Sequence, residues 1–178
     1  MEAPEVSTEQ LHEQINHNAE HSNNSWERGV ALSSAFLAAL AAICSLLAGH
    51  HANEALIEQI QSSNKWAYYQ AKGIKAAVLE SKIELLQQEG HASSKADLGK
   101  LTEYKKQQDA ISEDAKVSQE ESEQHLKHHM SYAAGVTFFQ ISIVIGAISV
   151  LSKRRNFWYL SLTLGVIGLG FFLKGYFL

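Results

Sequence analysis

The residues best suited to chemistry in this 178-residue chain are histidines that flank two apolar stretches. His50 and His51 follow the first stretch, and His125, His128 and His129 precede the second. Imidazole binds transition metals and changes charge between pH 5 and 8. Because His125 and His129 lie four residues apart, a helix would place both on one face.

Two carboxylates, Glu54 and Glu121, lie about one helical turn from these histidines. If two helices bring all seven groups to one level, they would form a metal site or a pH-sensitive cluster. The third interpretation is a set of ordinary residues at a membrane interface. The sequence favours that third interpretation, because the Glu-x-x-His pairing of di-iron bundles is absent among these seven residues.

Other motifs for catalysis or ligand binding are missing from the sequence. There is no phosphate-binding glycine loop, nucleophile elbow, Cys-x-x-Cys pair or basic patch for nucleic acid. The single cysteine, Cys44, lies inside an apolar stretch and cannot form an intrachain disulfide. We therefore predict a non-enzymatic protein with no catalytic residue, cofactor, nucleic-acid partner or identifiable small-molecule substrate.

Three apolar stretches dominate the chain, at residues 29–49, 131–152 and 157–178. Each has roughly the 20 residues that a helix needs to cross a bilayer core. Lys174 is the one charge within them, and it lies near enough to the chain end to reach the membrane surface. The sequence predicts an all-α membrane protein with three transmembrane helices and with lipid as a partner.

The charged residues are concentrated outside those stretches. Thirteen of the 19 acidic residues lie between His50 and Met130, and the other six precede residue 28. Residues 1–28 therefore form an acidic tail, in which Leu11 and Ile15 predict a short amphipathic helix. Residues 50–130 form a polar segment outside the membrane.

The polar segment 50–130 is predicted to be a long antiparallel helical hairpin of coiled-coil type. It has no proline, and Gly90 and Ser94 mark a helix end and a new helix start. Small or apolar residues repeat at three- and four-residue spacing on the first helix, and we expect this row, the 56–85 seam, to face the second helix. Its members are Leu56, Ile60, Ser63, Ala67, Ala71, Ile74, Val78, Ser81 and Leu85. The facing row is Leu98, Leu101, Tyr104, Gln108, Ile111, Ala115, Ser118 and Ser122.

Self-association is predicted because two helices with so thin a seam bury little apolar surface. Trp66, Tyr68 and Tyr69 cannot all face one seam, so identical neighbours would cover the remaining rings. The alternative is that Tyr68 or Tyr69 lies on the surface with a solvated hydroxyl. Small residues at four-residue spacing in the spans also favour close helix packing, within one chain or between chains. They are Ala41, Ser45 and Gly49, then Ala35, Ala39 and Ala42, and finally Ser161, Gly165 and Gly168.

The membrane orientation follows from the cations at residues 153–155. Short basic loops stay in the cytoplasm, so the N-terminus is predicted to be cytoplasmic and residues 50–130 to be outside.

Three segments resemble a family of small bacterial membrane proteins known as a domain of unknown function. They are PEVSTEQLHEQI, SLLAGHHANEALIEQIQSSNKWAYYQAKGIKAAVLESKIELL and GAISVLSKRRNFWYLSL. The resemblance covers nearly the whole chain. It implies a bacterial source, and hence the inner membrane, and three membrane helices, but no activity.

Two functional classes remain from the sequence. The first is a homo-oligomeric helical scaffold in the membrane, and the second is a passive channel or transport pore. A pore favours polar residues within the spans, where Gln140 and a few serines are the available ones. The scaffold is therefore the first choice.

Overall fold

The computed structural model describes Glu13 and residues 25–178, and in that part of the chain it is helical without strands. The helices are α1 (Ser25–Gln88), α2 (Lys95–Ser152) and α3 (Arg155–Phe177). Each is long and apolar enough to cross a membrane. The predicted all-helical architecture with three such helices is confirmed. The short helix predicted around Leu11 and Ile15 lies outside the described residues, while the last four residues of the predicted tail already belong to α1.

The turn between α1 and α2 has the predicted chemistry. Gly90 has a φ of 77°, and its N–H bonds the carbonyl of Gln87 while the N–H of His91 bonds that of Leu86. This is the Schellman arrangement, in which glycine enters the left-handed region without steric cost. The Ser94 hydroxyl then accepts the backbone N–H of Ala96, which caps the start of α2.

The described chain divides into two compact units. The bundle unit comprises residues up to Ala52 together with Leu126–Leu178, and the hairpin unit comprises Asn53–His125. In the hairpin unit α1 and α2 run antiparallel, because residues near Lys82 pair with residues near Asp97 while residues near Ser62 pair with residues near Ala115.

The predicted packing face of α1 in the hairpin unit is wrong. Every member of the 56–85 seam is exposed, whereas the buried α1 residues recur every seven positions on another face. These buried residues are Ala55, Ser62, Ala76 and Ile83, with Tyr69 half-buried. The facing row on α2 is confirmed from Leu101 to Ser122, although Leu98 is exposed. Alanine and serine at most of the buried positions let the backbones approach closely around Ala55, Ser62 and Ala115.

The bundle unit has an apolar core contributed by α1, α2 and α3. Its buried members are Leu37, Ala41, Cys44, Ala48, Tyr132, Phe139 and Ile143, with Phe172 of α3 packed against them. On α3 the predicted small row is confirmed, since Ser161, Gly165 and Gly168 are buried. On α1 only Ala41 of the predicted small faces is buried within the chain, whereas Ala35, Ala39, Ala42, Ser45 and Gly49 are exposed. For these exposed residues the between-chain alternative stays a prediction.

Glycines on α3 allow large rings of α2 to lie against its backbone. A Cβ at Gly168 would lie 2.8 Å from the Phe139 ring, and one at Gly175 would lie 2.9 Å from the Tyr132 ring. Ser142 and Ser161 each donate to the other's backbone carbonyl, so these buried hydroxyls are satisfied between α2 and α3.

Candidate functional site

Two histidines of the predicted cluster donate hydrogen bonds to backbone carbonyls of neighbouring helices in the bundle unit. Nδ1 of His128 lies 2.9 Å from the carbonyl oxygen of Gly175, and Nδ1 of His129 lies 2.9 Å from that of Ala48. A carbonyl oxygen only accepts, so each Nδ1 carries the proton. Gly175 lies in the last turn of α3, where carbonyls lack a partner within the helix. His128 therefore supplies a cap to α3 from another helix.

His51 joins this cluster through its ring. Its centroid lies 4.6 Å from that of His128, at an interplanar angle of 13°, and 5.7 Å from that of Tyr132, at 14°. Tyr132 in turn packs against Gly175 and contacts the Phe172 ring, whose centroid is 6.0 Å away. The histidines of the bundle unit thus contribute to helix packing through stacking and hydrogen bonds. We call His51, His128, His129 and Tyr132 the histidine–tyrosine cluster.

The other members of the predicted group of five histidines and two carboxylates lie in different surroundings. His50 is exposed, with its ring centroid 5.3 Å from that of His51. His125, Glu54 and Glu121 belong to the hairpin unit, where His125 and Glu54 are half-buried and Glu121 is exposed. Across the described residues, no group of three or more His, Cys, Asp or Glu side chains is arranged to hold a metal ion. The metal and pH-sensitive interpretations remain predictions that these contacts do not support.

Polar side chains hold the two helices of the hairpin unit together. Ser62 donates to the carbonyl of Ala115 at 3.0 Å, and Ser122 donates to that of Ala55 at 2.8 Å. These bonds run in opposite directions between the same two helices. Lys65 reaches the Ser118 hydroxyl at 2.8 Å. These contacts were not predicted from the sequence, although alanine and serine at seven-residue spacing on α1 were a visible signal for them.

The predicted ring cluster of the hairpin unit is divided between burial and exposure. Trp66 and Tyr69 are half-buried and meet edge to face, with centroids 5.5 Å apart. Tyr68 is 53% exposed, and the Lys72 ammonium lies 5.3 Å from its ring centroid and 5.2 Å from that of Tyr104. Of the three candidate interface rings, Tyr68 is the one available to a neighbour.

The most prominent surface of the hairpin unit is the 56–85 seam itself. Its large members are exposed aliphatic side chains in a segment rich in charge, with Ile74 65% and Val78 66% exposed. An open groove of about 490 Å³ follows its distal part, where Val78, Ser81 and Leu85 contribute to the lining. Contiguous apolar patches that are exposed and rimmed by polar residues mark interaction surfaces.

Over Glu13 and residues 25–178 these features define a helical protein with three helices long and apolar enough to cross a membrane. Its hairpin unit presents an exposed apolar row. The chain belongs to the family described as domain of unknown function DUF4337, which it matches over residues 26–178. No curated protein and no solved structure matches it.

Proposed function

We propose that this protein is a non-enzymatic membrane scaffold that assembles from identical copies and displays helical hairpins on the outer face of a bacterial inner membrane. The observation that carries the proposal is the 56–85 seam. Exposed aliphatic residues in the three long apolar stretches can face lipid. The hairpin unit is rich in charged residues, so the exposed aliphatic residues of its 56–85 seam cannot face lipid. A second protein surface is the natural environment for them.

The small core of the hairpin unit supports assembly. Its buried residues are mostly alanine and serine, and Ile83 is the one large aliphatic side chain among those described there as buried. Burial stabilises by about 0.8 kcal/mol per CH₂ group, so alanine contributes little. Covering Leu56, Ile60, Ile74 and their neighbours would add the apolar burial that the hairpin unit lacks.

The proposed orientation is supported by the loop between α2 and α3. Lys153 and Arg154 are the two residues of this loop, Arg155 begins α3, and all three are exposed. A short basic loop of this kind is retained in the cytoplasm. With the loop on that side, chain connectivity supports a cytoplasmic N-terminus and a hairpin unit outside.

A passive pore has less support than a scaffold. Phe139 and Ile143 fill the interior of the bundle unit, and the Ser142 and Ser161 hydroxyls are used in hydrogen bonds to each other's helix. A pathway would therefore have to form between copies, and the polar residues that would line it are few.

Mass measurement of the detergent-solubilised full chain tests the proposal. We expect a defined oligomer by light scattering coupled to size-exclusion chromatography, with the same mass in two detergents and over a range of protein concentrations. Particle images would show whether the centre of the assembly is open or closed. A monomer under all these conditions would contradict the scaffold, and an open aqueous centre would favour the pore.

A further inference from the structure

Helix geometry places the 56–85 seam on the side of α1 that faces away from α2 within the hairpin unit. At 100° per residue, the mean direction of the seam differs by roughly 150° from that of the buried row containing Ala55, Ser62 and Ala76. One face of α1 therefore packs on α2, and the opposite face carries the larger aliphatic side chains. The seam extends over thirty positions, or roughly 45 Å of helix.

The exposed seam has the spacing of a second coiled coil. Its members alternate steps of three and four residues, with one additional four-residue step between Ala67 and Ala71. Over residues 71–85, Ala71, Val78 and Leu85 take position a, while Ile74 and Ser81 take position d. The buried residues Ala76 and Ile83 take position f, which lies opposite to a and d.

The groove on α1 has the form that a coiled-coil partner requires. Among its lining residues are Val78, Ser81, Lys82 and Leu85, which stand at positions i, i+3, i+4 and i+7. Four residues at this spacing form the hole that receives one side chain of a facing helix. The three- and four-residue spacing extends from this hole back to Ala71 and, after the additional four-residue step, from Ala67 to Leu56.

We propose that the 56–85 seam binds the same seam of a second copy as a parallel, in-register coiled coil. The inference rests on the proposed scaffold function and names its contact surface. Both copies would enter the hairpin unit from the same membrane face, because α1 runs without interruption from its apolar stretch to Gln88. Two α1 helices that start from one membrane face run in the same direction. Anchoring in one membrane also raises the effective concentration of each copy for the other.

Charge at the edges of the seam is compatible with a parallel, in-register pair. Lys75 and Lys82 occupy position e, and Gln70 and Ala77 occupy position g. A parallel pair places each e residue beside the g residue five positions earlier on the partner, so Lys75 lies beside Gln70 and Lys82 lies beside Ala77. Neither lysine therefore meets a like charge. The next such pair, Glu84 with Glu89, lies at the end of α1, which stops at Gln88.

Single cysteines on a Cys44→Ser background test the contact in membranes. In a parallel, in-register pair Val78 meets Val78 of the second copy, so a Val78→Cys variant should form a disulfide-linked dimer under mild oxidation. The matched control is Glu120→Cys, which is also exposed but lies on α2, off the row that faces α1. We expect a shift of the monomer band to twice its mass for Val78→Cys and no such shift for Glu120→Cys on a non-reducing gel.

Each other outcome contradicts a defined part of the inference. An antiparallel pair would instead link Ile60→Cys to Leu85→Cys when the two variants are co-expressed, without a Val78→Cys dimer. Linkage of Val78→Cys to a different protein would make the seam a heterologous surface. An oligomer by mass without linkage at Val78 would leave the scaffold standing and remove the seam as its contact, whereas a monomer by mass would end both.

Discussion

The Ser122 hydroxyl donates a hydrogen bond of 2.8 Å to the backbone carbonyl of Ala55, and both residues are buried in the hairpin unit. So short a reach from a serine side chain to the opposite backbone requires two helices in close contact. The bond from Ser62 to Ala115 repeats the relationship in the reverse direction. Close packing through small residues on one face of α1 leaves its aliphatic face free for a neighbour.

Adjacent serines provide a test of this packing. Ser62 is 2% exposed and bonded to α2, whereas Ser63 belongs to the exposed seam. Ser62→Leu should destabilise the hairpin unit by about 1–3 kcal/mol, because the added volume forces the helices apart. Ser63→Leu should leave the thermal midpoint of the purified full chain unchanged or raised. Equal losses in both variants would place the packing face elsewhere.

Glycine contacts in the bundle unit predict another matched pair. A Cβ at Gly168 would lie 2.8 Å from the Phe139 ring and 3.3 Å from the Gly135 carbonyl, whereas nothing lies within 4 Å at Gly170. Gly168→Ala should therefore destabilise the folded bundle unit by about 1–3 kcal/mol. Gly170→Ala should be neutral or slightly stabilising, because alanine favours the helix. Thermal unfolding in detergent measures both, and a neutral Gly168→Ala would refute the close approach of α2 and α3.

Removal of the His128 ring should loosen the end of α3. His128→Ala abolishes the hydrogen bond to Gly175 and the stack on His51, so backbone amides near the C-terminus should exchange with deuterium faster. His50→Ala, at an exposed position, is the control and should not change that exchange. Unchanged protection in His128→Ala would mean that packing of Tyr132 and Phe172 holds α3 without the histidine.

Tyr68 is the ring with which to test the predicted aromatic contact between copies. Tyr68→Ala should shift the solubilised protein toward smaller species without disturbing the Trp66–Tyr69 contact inside the hairpin unit. Tyr104→Ala removes the other ring beside Lys72 and serves as the control for loss of the cation–π contact. An unchanged mass for Tyr68→Ala would assign that ring to solvent, which is the alternative that the sequence left open.

The orientation in the membrane can be measured at the hairpin turn. Ser94 is exposed, so Ser94→Cys on a Cys44→Ser background should react with a membrane-impermeant thiol reagent in intact cells. Arg155→Cys on the same background should react after lysis, because the basic loop is proposed to be cytoplasmic. The opposite labelling pattern would reverse the orientation.

The sequence was sufficient for features that depend on a few neighbouring residues. Gly90 ends α1 because it tolerates a positive φ, and Ser94 starts α2 because its hydroxyl accepts a free backbone N–H. The long apolar stretches determined three helices of spanning length, since that property is a sum over about twenty side chains. The row from Leu101 to Ser122 was also predicted correctly, because α2 offers one face of small and apolar residues there.

The tertiary structure decided which face of α1 meets α2. Both the row containing Ala55 and Ser62 and the row containing Ile60 and Ile74 repeat at helical spacing, so periodicity alone does not separate them. The choice depends on the partner. The small residues of α2, such as Ala115, permit a close backbone approach that only small residues of α1 can match. Complementarity of this kind is a property of two surfaces together, so neither sequence segment reveals it alone. The same holds for the contacts of His128 with Gly175 and of His51 with Tyr132, which also join residues far apart in the chain.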